Sequence, residues 1–112
     1  MKFSITGKHM DIPESLREFA EKKTAKLPRY YSSISEVELI IDSGKAGKIT
    51  IEIIARADRN NTFVVTESGS DPFASLVSAV RKLERQLRRK KGRQRDDKFP
   101  GTYGKSTGTK QN

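Results

Sequence analysis

The stretch EVELIIDSGKAGKITIEIIARADRNNTFVVT, residues 36–66, decides the fold. Val37, Leu39 and Ile41 alternate with Glu36, Glu38 and Ile40. Ile49, Ile51 and Ile53 alternate with Thr50, Glu52 and Ile54, and Phe63 and Val65 with Thr62, Val64 and Thr66. Period-two patterning rich in β-branched residues predicts three strands. Their connections, Ser43-Gly44-Lys45-Ala46-Gly47 and Asp58-Arg59-Asn60-Asn61, are short and made of turn residues, so the strands should form an antiparallel meander. Each strand has one strongly apolar face. The other face should show Glu36, Glu38, Glu52, Thr50, Thr62 and Thr66, with no aromatic residue for stacking bases.

A helix is predicted on either side of the meander. On the upstream side, Phe3 and Ile5 alternate with Lys2, Ser4 and Thr6 in a short strand ending at Gly7. Pro13 and Glu14 then suit a helix start, Leu16, Phe19, Ala20 and Leu27 keep helical spacing, and Pro28 should stop the helix near Leu27. Downstream, Asp71 is a good N-cap and Pro72 a good first-turn residue. Phe73, Leu76, Val77, Val80, Leu83 and Leu87 continue as an apolar stripe that Gly92 should end. The order β-α-β-β-β-α implies an α+β domain. A four-stranded sheet carries two helices on one face, with the first strand parallel to a neighbour through a right-handed crossover. Residues 1–93 should form this domain. Residues 94–112, poor in apolar side chains, read as a disordered basic tail.

Charge is distributed unevenly. The formal net charge is +9, and between Arg81 and Lys98 ten basic residues face only three acidic ones, so that stretch holds +7 of it. Lys82, Arg85 and Arg89 fall at i, i+3 and i+7, flanked by Arg81 and Arg88. Lys22 and Lys26 are four apart in the first helix, with Arg29 just beyond. Guanidinium and ammonium groups at helical spacing can track successive phosphates. Two such ridges on adjacent helices would make a basic saddle for a polyanion, nucleic acid first and an anionic membrane surface second. The membrane reading lacks the large exposed apolar face that surface helices need. Tyr30 and Tyr31 beside Arg29 offer stacking, although a tyrosine closing the core edge is the commoner use.

Enzyme signatures are weak. No cysteine exists, and His9 is the only histidine, so neither a thiolate or paired-histidine metal site nor a Ser–His arrangement is supported. Gly44-Lys45-Ala46-Gly47-Lys48 looks superficially like a phosphate loop, but Asp42 stands at its first glycine, Ile49 at its Ser/Thr, and it joins two strands. No cofactor is implied. With no signal-peptide-like start and no bilayer-length apolar run, a soluble intracellular protein is expected.

Ile5-Thr6-Gly7-Lys8-His9-Met10-Asp11-Ile12, Leu16-Arg17-Glu18-Phe19, Lys26-Leu27, Asp71 and Lys82-Leu83-Glu84-Arg85-Gln86-Leu87 resemble the hibernation-promoting factors, also called ribosome-associated inhibitor or sigma-54 modulation proteins. The resemblance runs from Met1 to about Arg89. It implies a double-stranded-RNA-binding-like fold extended by one strand. It also implies a non-enzymatic factor that binds the small subunit of the 70S ribosome; the chain is expected to be cytoplasmic and monomeric when off it. Seated on 16S-type ribosomal RNA in the channel for mRNA and tRNA anticodon ends, it would inhibit translation in dormant cells. Lys22, Lys26, Lys82, Arg85 and Arg89 match the family's basic positions; Arg29 and Arg88 join them on charge geometry alone. Pro72-Phe73 departs from the Met-Tyr often found there. The alternative is a general double-stranded-RNA or transcription-associated module.

Overall fold

The computed structural model describes residues 1–98, and beyond Lys91 only the helical backbone. The elements are β1 (Lys2–Lys8), α1 (Glu14–Thr24), β2 (Glu36–Ser43), β3 (Ile49–Arg56), β4 (Thr62–Gly69) and α2 (Pro72–Lys98), with 3-10 turns at Leu27–Arg29 and Lys45–Gly47. The sheet order is β1-β2-β3-β4. β1 runs parallel to β2, as a crossover through α1 requires, and β2, β3 and β4 form the antiparallel meander. The α+β class and the β-α-β-β-β-α order are therefore those expected.

Strand parity organises the packing. Val37, Leu39, Ile41, Ile49, Ile51, Ile53, Phe63 and Val65 are all buried, with Leu16 and Ala20 of α1 and Leu76, Ala79, Val80, Leu83 and Leu87 of α2. Burying each large apolar side chain stabilises the fold by about 1.5–3 kcal/mol. This one-sided covering is the main reason the sheet and helices hold together. α2 begins as its sequence indicates: the Asp71 carboxylate accepts a hydrogen bond from the Phe73 amide at 3.0 Å.

Two helix ends and the burial of one ring differ from expectation. α1 stops at Thr24 rather than near Leu27. Pro28 has no N–H to offer the Thr24 carbonyl, and it sits instead in the 3-10 turn, where Tyr30 N–H bonds to the Leu27 carbonyl at 2.9 Å. α2 does not end at Gly92 but continues to Lys98. A glycine inside a helix costs about 1 kcal/mol relative to alanine, and the flanking arginines and lysines are good helix formers. The expected tail thus overlaps the helix at 94–98, and its remainder, 99–112, lies outside the described residues. Phe73 is not a core member but 37% exposed, at the open end of the stripe.

Tyr30 and Tyr31 have separate uses. Tyr31 is buried against Phe63, rings 5.2 Å apart, and its hydroxyl accepts a hydrogen bond from Asn61 Nδ2 at 3.2 Å. Tyr30 stays half-buried at the surface. Gly7 is demanded by a close approach, since a Cβ there would strike the Met10 carbonyl oxygen where the chain folds back after β1.

Leu83 lies fully buried at the centre of the α2 stripe. Leu83→Ala should lower unfolding free energy by roughly 2–5 kcal/mol through the cavity it leaves. Urea denaturation measures this, and a loss well under 1 kcal/mol would contradict the packing described.

Candidate nucleic-acid interface

α2 buries one side and offers the other to solvent. With Leu76, Val80, Leu83 and Leu87 inward, helical periodicity turns Arg81, Arg85, Arg88 and Arg89 outward, and all four are exposed. α1 lies beside α2, joined by an edge-to-face contact of Phe19 and Phe73 with centroids 5.2 Å apart. Lys22 is exposed on the flank of α1 nearest α2, Lys26 is half-buried just past the helix, and Arg29 is exposed in the 3-10 turn. The acidic residues of α1, Glu14, Glu18 and Glu21, are exposed as well, and Glu18 stands one turn before Lys22. The helices therefore share one surface on which cations outnumber carboxylates, with Glu18 and Glu84 the acids nearest to them.

Of the seven sequence-predicted contacts, six belong to this surface: Lys22, Lys26, Arg29, Arg85, Arg88 and Arg89. Among the described residues none of these cations lies within ion-pairing distance of a carboxylate. Arg88 places its guanidinium over the Tyr30 ring, 5.1 Å from the centroid, which fixes a planar cation at the surface.

Lys82 is placed differently. Its ammonium donates to the Thr66 carbonyl at 2.8 Å and stands 4.0 Å from Glu67. One turn on, Gln86 Nε2 donates to the Val64 carbonyl at 3.2 Å. Val64 and Thr66 are on β4, the edge strand, so two side chains of α2 occupy carbonyls that would otherwise be open for pairing. Lys82 and Gln86 clip the helix to the sheet edge. Their i, i+4 spacing was visible in the sequence, but its target was not, because the carbonyls belong to another element.

Sequence reasoning also passed over Lys23, whose ammonium lies over the Phe19 ring at 5.4 Å. The signal was the i, i+4 spacing of Phe19 and Lys23. The open sheet face carries more than the acids and threonines expected. Ile54 and Val64 are directly paired across β3 and β4, Ile40 on β2 stands opposite Glu52, and Val64 is 45% exposed. Arg56 pairs with Glu38 at 3.1 Å and Glu36 at 3.5 Å on this face. His9 is exposed and hydrogen-bonds Asp42 at 2.9 Å. Among the described residues no group of three His, Cys, Asp or Glu side chains could hold a metal. The segment Gly44–Lys48 is a hairpin connection closed by Gly44 N–H to the Lys48 carbonyl at 2.7 Å, not a phosphate loop.

Fold and surface define a small α+β protein with cations on the helical side and a mixed, aromatic-free sheet face behind. The chain belongs to the sigma 54 modulation protein / S30EA ribosomal protein family, whose model matches residues 3–95. The ribosome hibernation promoting factor of Escherichia coli strain K12 is 34% identical over 92 residues, 81% of this chain and 94% of that protein. The ribosome hibernation promotion factor of Staphylococcus aureus strain COL is 31% identical over 97 residues, 83% of this chain but 50% of the longer relative. Among solved structures, a ribosomal subunit interface protein from Coxiella burnetii matches with a TM-score of 0.76 at 26% identity, covering 82% of this chain and 99% of that one. The Thermus thermophilus Protein Y N-terminal domain gives 0.71 at 27% identity, covering 80% and 98%.

The clip has a thermodynamic signature. Lys82→Ala with Gln86→Ala should lower stability by about 1–2 kcal/mol, the net worth of two hydrogen bonds partly open to water. Arg85→Ala should stay within about 0.5 kcal/mol of the parent. Equal losses in paired urea titrations would show that the clip is not structural.

Proposed function

We propose that this chain is a ribosome hibernation factor. It seats the outer side of α1 and α2 on 16S-type ribosomal RNA of the small subunit, within the 70S particle. There it occupies the channel used by mRNA and tRNA anticodon ends and stops translation in dormant cells. The observation that carries this is the distribution of charge: six cations on α2, on α1 and in the turn after it, none of them ion-paired among the described residues, with the acidic and apolar groups of the sheet on the far side. The names borne by its relatives, which speak of ribosome hibernation and the subunit interface, support the same reading.

Arg85, Arg88, Arg89, Lys22, Lys26 and Arg29 are assigned to phosphates, where guanidinium groups add bidentate geometry. Lys82 makes the smallest contribution of the predicted set, since its ammonium is already held by Thr66 and Glu67. The protein acts in the cytoplasm and is monomeric off the ribosome. Blocking is assigned to residues 1–93, with residues 94–112 adding only non-specific attraction that salt screens.

Phosphate contacts make binding salt-dependent. With about five neutralised phosphates, log K for small-subunit association should fall with log [salt] at a slope of roughly −3 to −5. Sedimentation with ribosomes at several salt concentrations measures it, and a slope near zero would refute the basic-surface mechanism. Arg85→Glu combined with Arg89→Glu should abolish both ribosome association and inhibition in a translation assay. Thermal stability should barely change, because exposed substitutions shift it by only about 0.5 kcal/mol. Full inhibition by the folded double variant would count against the assignment.

A further inference from the structure

The cationic surface has a floor as well as crests. Between α1 and α2 lie Phe19, Phe73 and Val77 at one end, and Tyr30 beneath Arg88 at the other. Lys22, Lys23 and Lys26 line the α1 side; Arg81 and Arg88 line the α2 side, with Glu84 between them and Asp71 beside the Phe73 end. Cations outnumber carboxylates there. From Phe73 to Arg88 is fifteen residues of one helix, or about 22 Å at 1.5 Å per residue. That is room for a few extended nucleotides.

The two aromatic rings of the Phe19–Phe73 pair are not equivalent. Lys23 covers Phe19, whereas Phe73 is 37% exposed and held edge-to-face against Phe19. An apolar ring fixed in orientation beside a cationic groove is of little use to a duplex, whose bases are stacked away. It is suited to an unpaired base, which presents a free π-face. At the far end, the Arg88 guanidinium, backed by Tyr30, is a planar cation held in place to grip a phosphate with two parallel hydrogen bonds.

We propose that the groove between α1 and α2 is a seat for single-stranded RNA, with one unpaired base stacked on Phe73 and the following phosphates held by Lys22, Arg81 and Arg88. This rests on the reading that the helical side binds RNA and adds which form of RNA it takes.

Fluorescence anisotropy of the full chain with three labelled probes tests it: a short single-stranded RNA, the same strand in duplex, and the same strand with abasic positions. The single strand should bind roughly ten-fold or more tightly than the abasic strand, the expected worth of one stacked base. Phe73→Ala should remove that difference while leaving abasic binding in place, and Phe73→Trp should retain it. Equal affinity of the parent protein for all three probes, no binding of any of them, or an unchanged preference in Phe73→Ala would overturn the proposal. The parent-protein comparison needs no variant to fold, and equal affinities there overturn the proposal whatever the variants do. Ribosome pelleting run in parallel separates the two levels. Pelleting without base discrimination would reject the single-strand seat and keep the ribosome reading. Discrimination without pelleting would do the reverse.

Discussion

Val37, Leu39, Ile41, Ile49, Ile51, Ile53, Phe63 and Val65 leave the sheet on the same side, and water must be kept from all of them. A single helix has one stripe and cannot cover four strands, so both helices lie across that face. Once the leucines of α2 are committed inward, the helical repeat leaves Arg81, Arg85, Arg88 and Arg89 nowhere but outward. The opposite parity of the strands takes Glu36, Glu38 and Glu52 together with Lys2 and with Arg56, which pairs with the first two, so the open sheet face has no excess of positive charge. The excess of cations on the helical side is thus a by-product of burying one apolar face. The function proposed for the helical side depends on it.

The run Lys82-Leu83-Glu84-Arg85-Gln86-Leu87 shows how closely packing and binding are interleaved. Leu83 and Leu87 are in the core, and Lys82 and Gln86 hold carbonyls of the edge strand. Only Arg85 presents an exposed cation from these six residues. A sequence signature of this kind reports how the helix is fastened to the sheet at least as much as what the helix touches. It also answers a hazard of the topology, because β4 would otherwise expose its carbonyl edge to other strands.

Most of the architecture could be read from residue order. Alternation identified the strands and their buried faces, and Asp71-Pro72 identified the start of α2, because these signals act locally. What was misread depended on partners distant in sequence or on competing local terms. Gly92 looked like a stop, but helix propagation through long basic side chains outweighed its cost. Pro28 ended α1 a turn early by withholding one amide. The fastening role of Lys82 stayed hidden until β4 supplied its acceptor, and Phe73 looked like core until the stripe proved to end at Leu76. Of the candidate surface, Arg85, Arg88 and Arg89 were readable from spacing alone. That Arg88 stands beside the basic residues in and after α1 required the contact between the helices.

The central claim is that ribosomal RNA meets the helices and not the sheet. Site-specific photo-crosslinking tests this most directly, with a photoreactive side chain placed in turn at Ser78, exposed on α2, and at Thr66, exposed on the open sheet face. Ribosomes carrying the Ser78-labelled protein should yield adducts with small-subunit RNA, and those carrying the Thr66-labelled protein should not. RNA adducts from Thr66 with none from Ser78 would contradict the account.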